Sequence, residues 1–415
     1  MTTFIEGEMI MESNISAYRK GQSTIHVLQA IRDDIVKAMK RGEVTMMILA
    51  DFSKAFDTIK FKYLIKKMNH LGFSKNFLKW TLNYVSKRKQ FVQIDDKLST
   101  EVEVRFGVPQ GSILGPVLFN IYVADLQSDI NMRGYQYADD TTLYCHAKPK
   151  DVETLSRTTN ESIEQLGTWA SNNNLALNSE KTKLMVLSTQ ELSRKHGLKD
   201  IELNILIKGK KMERTETCKL LGVTINEHLK WENHVKTISS SCYGTLSILK
   251  KLKNVAPFRL RKQLAESLIL SKIDYGDQVY TPLTMMLQKR LQRVQFAAAS
   301  FVTGHYVKST RDILKLGWLL IEERRDLNLL KQVFKALNSK TWPYYLKLTV
   351  RENIRELRSN GTKSLQIPNK ESGPFEDNAA RLFNSLPDKI RNCSNYDTFL
   401  SLANKFLINR AEQCN

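Results

Sequence analysis

Cysteine is scarce in this chain. Its 415 residues include five: Cys145, Cys218, Cys242, Cys393 and Cys414. They are scattered and odd in number, and no two form a CxxC pair. Neither a zinc knuckle nor a disulfide framework can be built from them. A reducing compartment, cytosol or nucleus, fits that usage. Long apolar runs are lacking too, since no stretch of 18 apolar residues could span a bilayer. The first residues, MTTFIEGEMIMES, are acidic and lack the charged-then-apolar pattern of a signal peptide. An intracellular protein, nuclear or cytoplasmic and not secreted, is expected. Internal repeats and low-complexity stretches are absent. Acidic residues are the minority charge, 43 against 63 Lys and Arg, giving a net charge of +20. Such an excess attracts polyanions, with nucleic acid the default partner and a membrane surface the rival.

What is present suffices for a large core. The chain is 42% hydrophobic and long enough for two or three domains. Residues 24 to 40 carry Ile25, Leu28, Ile31 and Ile35 at helical spacing. TMMILA, residues 45 to 50, reads as a buried strand. Residues 61 to 86 read as two helices broken at Gly72. QFVQI (90 to 94) and EVEVRF (101 to 106) read as a hairpin across DDKLST. Ser112 to Leu126 is helical in pattern, and 134 to 145 is strand-like. Residues 152 to 170 form an amphipathic helix with Val152, Leu155, Ile163, Leu166 and Trp169 on its apolar side. Strands follow at 183 to 187 and 218 to 225.

Beyond about residue 229 the pattern turns helical and basic. Residues 229 to 300 hold 12 Lys or Arg against 4 Asp or Glu. A solvated helix face explains part of this; the excess points to a phosphate-facing surface. Residues 355 to 375, with Gly361, Pro368, Gly373 and Pro374, are expected to be a linker. Helical segments around Leu382 and from Tyr396 to Ile408 close the chain.

Two segments carry candidate chemistry. In GYQYADDTTLY, residues 134 to 144, the adjacent carboxylates Asp139 and Asp140 sit among strand formers. Alone, they read equally well as an idle acidic hairpin tip. In ILADFSKAFDTI, residues 48 to 59, Asp51 ends the apolar strand. Alone, it reads as a helix N-cap. If the two strands pair, three carboxylates converge. Oxygen donors of that kind suit Mg²⁺. Two such ions about 3.5–4 Å apart can clamp the attacking and leaving oxygens of an in-line phosphoryl displacement.

The chain resembles the reverse transcriptases of non-LTR (LINE-type, jockey-like) retrotransposons. ADFSKAFDTI looks like their first palm motif. GVPQGSILGPVLFNIYVADL (107 to 126) is similar to the second and YQYADDTTLY to the third. NNLALNSEKTKLMVL (173 to 187) resembles the fourth and CKLLGVTIN (218 to 226) the fifth. AYRKGQST (17 to 24) resembles a fingers motif. LKWENHV and LGWLLIEERRDLNLL look like the thumb and the region after it. The motifs keep the family's order and cover nearly the whole chain.

The resemblance implies an α+β right-hand polymerase with an antiparallel-sheet palm, partial fingers, a helical thumb and a C-terminal helical extension. The expected limits are 1–44 for partial fingers and 45–228 for the palm, with a fingers insertion at about 60–106. The thumb and connection take 229–350, and the linker and extension 351–415. The implied reaction is extension of a DNA 3′-hydroxyl on an RNA template. It uses deoxynucleoside triphosphates and two Mg²⁺ ions, with Mn²⁺ as a substitute.

By the same resemblance, Asp51, Asp139 and Asp140 are the catalytic carboxylates. Asp51, Asp139 and the Phe52 carbonyl ligate metal. Phe56 is a steric gate against a ribose 2′-hydroxyl; its bland rival is core packing. Gln110 and Gly111 lie against the incoming nucleotide and template, where a missing Cβ permits close approach. Arg19 and Lys20 grip the triphosphate, and Lys181 protonates pyrophosphate. Solvated surface charge is the rival reading for all three. Tyr137 and Ala138 sit near the primer terminus and Gly222 in the strand that grips the primer.

The resemblance starts late. Only 17 residues precede Tyr18, and neither an upstream endonuclease nor a Cys-rich module is present, so an N-terminally truncated element is expected. The rival function is an inactive remnant that only binds nucleic acid. A group II intron maturase-like protein is a weaker third.

Overall fold

The structure is a computed structural model that describes residues 1–7, 11–351, 363–369 and 372–413. It is a mixed α+β protein. The chain divides into two units, residues 1–27 with 42–216 and residues 28–41 with 217–415.

The first unit is built on a four-stranded antiparallel sheet. Its strands lie in the order Lys183–Leu187, Val44–Ala50, Asp140–Ala147, Arg133–Tyr137. The inner strand Val44–Ala50 is apolar on both faces because both are covered. Met46, Met47 and Ile48 are fully buried, each stabilising by roughly 1.5–3 kcal/mol. On one face the rows Met46–Cys145–Val186 and Ile48–Leu143–Leu184 meet the helix Val152–Asn172. That helix buries Leu155, Ile163, Leu166 and Ala170. The expected Trp169 is only half-buried and donates its Nε1–H to Asp125. The helices Phe61–His70 and Lys75–Val85 break at Gly72 as the sequence predicts.

Two predicted elements differ in detail. The helix of the second motif runs only over Gly115–Tyr122. Ser112 accepts the Gly115 N–H before it, and tight turns replace it after Val123. The polar loop at 95 to 100 is shorter than expected. Gln93–Ile94 pairs with Lys97–Leu98 inside the longer Arg88–Gln90/Val102–Val104 ladder, so the chain reverses at Asp95 and Asp96.

The second unit is mostly helical. It opens with the hairpin Thr217–Leu220/Val223–Asn226. The helices Glu232–Lys250 and Met285–Thr303 pack together, as do Ile321–Asn338, Pro374–Asn384 and Tyr396–Gln413. Leu330, Val333, Phe383, Phe399 and Leu407 form the core of the latter group. Nine of the twelve basic residues between 229 and 300 are exposed. Contacts assign most of the Thr24–Lys40 helix to this unit, whose longer segment begins at Thr217. Residues 352–362 and 370–371 of the expected linker, Gly361 among them, lie outside the described residues, as does Cys414. The described part from Pro374 onward is helix.

Candidate active site

The strand register brings the two acidic segments together. Ala50 pairs with Thr141. One residue further along each antiparallel strand stand Asp51 and Asp140. Tyr137 pairs with Asp140, leaving Ala138 and Asp139 as a two-residue hairpin turn. Ala138 takes φ +57° there. A positive φ at the first turn position fits a type II′ turn, whose twist matches that of the flanking strands. The turn thus holds Asp139 at the hairpin tip, beside Asp140. Asp139 and Asp140 are exposed and Asp51 is half-buried. The Asp140 carboxyl is pushed above its ordinary range, first by the protein mass packed behind it, then by the negative charges of Asp139 and Asp51. The three carboxylates therefore share one electrostatic environment.

The fourth motif forms the opposite wall. Phe52 and Ser53 pair with Leu177 and Ala176. The Asn178 N–H donates to the Asp51 carbonyl at 2.8 Å, and the Asp51 N–H to the Thr182 hydroxyl at 3.3 Å. Asn178 Oδ1 accepts the N–H groups of Glu180 and Lys181, the local turn that Asn favours. This loop sets Lys181 Nζ at 4.0 Å from Asp51 Oδ2 while leaving 72% of the lysine side chain exposed.

The second motif is stitched to the segment after Asp51. Gly107 N–H donates to the Ile59 carbonyl and Val108 N–H to that of Phe56. Gly107 has φ +85°, and a Cβ there would come within 2.8 Å of Asp57 Cα. Only glycine allows that approach. Gln110 Nε2 donates to Asp57 Oδ1 at 2.8 Å. The exposed Gly111 follows with φ +77°, and open space surrounds its missing Cβ. Phe56 is half-buried and stacks on Phe119, with ring centroids 4.1 Å apart. Phe52 buries its ring in the core.

Other predicted positions stand apart. The Arg19 guanidinium is taken up by Glu6 and by the carbonyls of Glu12 and Ile15. A triphosphate would have to displace Glu6 to use it. Lys20 is exposed. Tyr137 and Ala138 lie in the hairpin beside the aspartates. Gly222 belongs to the second unit. There it turns a hairpin at φ +87°, with Tyr275 filling the space a Cβ would need. Sequence reasoning missed Asn178, Thr182 and Asp57. The Asn-Ser-Glu turn pattern was the available signal for Asn178; Thr182 and Asp57 had none.

Among the described residues, no three His, Cys, Asp or Glu side chains stand close enough to hold a metal ion as placed. The donor chemistry nevertheless fits a hard divalent cation. The donors are all oxygen, and the charges of Asp139 and Asp51 add to burial in raising the Asp140 carboxyl. The side chains would turn toward a shared ion.

Comparison with known proteins identifies relatives of the chain. The chain is 24% identical over 329 residues to the "Probable RNA-directed DNA polymerase from transposon BS" of Drosophila melanogaster, covering 76% of this chain and 35% of that protein. It is 23% identical over 308 residues to the RNA-directed DNA polymerase from mobile element jockey of the same organism, covering 71% and 32%. The chain thus spans about a third of the length of these relatives. A telomerase from Candida tropicalis superposes over 99% of this chain and 52% of its own, at 12% identity and a TM-score of 0.41, too loosely to carry an argument. Residues 1–225 match the family described as reverse transcriptase (RNA-dependent DNA polymerase). The chain belongs to that family and is related to its jockey-like, non-LTR retrotransposon branch.

Proposed function

We propose that the chain is an RNA-directed DNA polymerase that extends a DNA 3′-hydroxyl on an RNA template with deoxynucleoside triphosphates. The observation that carries this reading is the strand register that sets Asp51 across from Asp140, with Asp139 in the adjoining turn. Asp51, Asp139 and the Phe52 carbonyl would hold Mg²⁺, or Mn²⁺ in its place, with Asp140 as the third carboxylate. When bound, two such ions would acidify the primer hydroxyl and offset the charge of the leaving pyrophosphate.

The chain's own groups supply the rest. Lys181, on a loop fixed by Asn178 and near Asp51, would donate a proton to that pyrophosphate. Phe56, which stacks on Phe119, would exclude a 2′-hydroxyl. The turn around Gln110 and Gly111 presents backbone to the nucleotide. Tyr137 and Ala138 flank the primer end, and Gly222 serves the primer grip. Lys20 and, after release from Glu6, Arg19 serve the triphosphate.

The test is primer extension on poly(rA)–oligo(dT) with Mg²⁺, beside an Asp139→Ala control. Extension that vanishes in the control supports the polymerase. Salt-sensitive RNA binding without extension in the unaltered chain favours a binding remnant instead.

A further inference from the structure

We propose that the basic hairpin Leu206–Lys211 and the loop carrying Lys181 enclose an anion site that takes phosphate oxygens on the far side of that loop from Asp51. The hairpin pairs Leu206–Ile207 with Lys210–Lys211. Its turn is Lys208 and Gly209, at φ +51° and +76°, the two positive values of a type I′ turn. Ile207 and Met212 anchor it in the core of the first unit. Lys208 Nζ donates to the Leu177 carbonyl at 3.0 Å. Leu177 is the residue paired with Phe52. The hairpin tip is thus pinned one strand pair from the Asp51 segment.

Between the hairpin and the loop lies a cavity of about 530 Å³. Ser179, Thr182 and Lys183 line one side and Lys210, Lys211 and Arg214 the other. Glu180 and Glu213 are its acidic members, so four positive charges face two negative ones. Lys211 is already paired with Glu202 at 2.6 Å, both exposed, a pair too weak to hold it from a phosphate. Arg214 donates to the carbonyls of Leu198 and Lys199, which fixes its position. Lys183 and Lys210 are exposed, and no ion pair engages either among the described residues.

Exposed ammonium groups on a rigid frame, with the Ser179 hydroxyl beside them, suit phosphate oxygens. The phosphate would come from the backbone of a bound nucleic acid or from free pyrophosphate. The same Ser179–Lys183 loop that aims Lys181 at Asp51 walls this cavity, so occupancy here bears on the position of Lys181. The inference rests on the proposed function only in placing phosphates near Asp51.

The test uses the full chain carrying Asp139→Ala, so binding is read apart from polymerisation. Lys183→Ala with Lys210→Ala is compared with Lys75→Ala with Lys79→Ala, an exposed pair elsewhere in the unit. Affinity for an RNA–DNA hybrid is measured across roughly 50–200 mM salt, and pyrophosphate binding by calorimetry. The expected result is a slope of log affinity against log salt reduced by about one for each lysine removed, equally for all sequences. That result with pyrophosphate binding unchanged assigns the backbone as the source. An unchanged slope with lost pyrophosphate binding assigns free phosphate. No change in either, or an equal loss in the Lys75 and Lys79 variant, overturns the site.

Discussion

Lys181 Nζ stands 4.0 Å from Asp51 Oδ2, although the two lie 130 positions apart in sequence. The pair adds little to stability, because the lysine is 72% exposed and such pairs contribute 0–1 kcal/mol at roughly the median. Its value is positional. Lys181→Ala is expected to slow extension by about a hundredfold or more, in the range of general-acid effects. Hybrid affinity should stay unchanged and the alkaline limb of the pH–rate profile should disappear. A loss below threefold, or an unaltered pH profile, would reduce Lys181 to an exposed lysine.

Removal of a single carboxylate from the cluster should be more severe. Asp51→Asn and Asp139→Asn each keep the shape and remove a negative donor. Each is expected to lower the extension rate by about a thousandfold or more, since ion-mediated charge stabilisation is worth several kcal/mol. Circular dichroism and the urea midpoint should match the unaltered chain. Substantial remaining extension would remove these carboxylates from the reaction.

Phe56 separates two roles cleanly. Its stack on Phe119 predicts that Phe56→Ala costs about 1–3 kcal/mol of stability, less than a fully buried phenylalanine. The gate role predicts something packing alone does not: a rise in the use of ribonucleotides relative to deoxynucleotides. Competition between labelled triphosphates measures it. Lost stability with unchanged discrimination would leave Phe56 as core.

Gly107 should tolerate no side chain. Gly107→Ala meets both a left-handed φ of +85° and a Cβ approach of 2.8 Å to Asp57 Cα. The expected cost is about 2 kcal/mol or more. Because this turn ties the second motif to the segment after Asp51, activity should fall with it. The urea midpoint is the readout, and a shift near zero would refute the constraint.

The second unit carries a pH dependence of its own. Burial pushes the Asp277 carboxyl up to about 7, against the amide of Asn328 and the charge of Arg325, which favour its ionised form. A raised carboxyl means the folded protein binds its proton more tightly than the unfolded chain does. The stability linked to this group is therefore lost as pH rises from the ordinary value of 3.8 toward 7. Asp277→Asn is expected to be the more stable protein at pH 8, by up to about 4 kcal/mol, with the gap closing near pH 4. Urea melts at the two pH values decide it; a gap that widens in acid would contradict the sign.

The sequence by itself determined the elements and the chemistry. TMMILA is a buried strand because its apolar residues leave no polar face. YADDTT is a hairpin because strand formers flank a turn-forming pair. The helix at 152 is amphipathic by its own spacing. Five ordered motifs named the family, and three aspartates named the chemistry. Tertiary structure decided what pairing alone can decide. Whether Asp51 meets Asp140 depends on strand register, a long-range property that a one-residue slip would reverse. Asn178, Thr182 and Asp57 acquired their roles only when the fold set them against Asp51 and Gln110. Arg19 reads as a phosphate donor in the chain, but folding delivers Glu6 to it first. The basic turn Lys208–Lys211 is one lysine cluster among many until Lys208 bonds to Leu177, the strand partner of Phe52. Short-range spacing dictates local conformation, whereas side-chain partnership across a hundred residues is settled by packing.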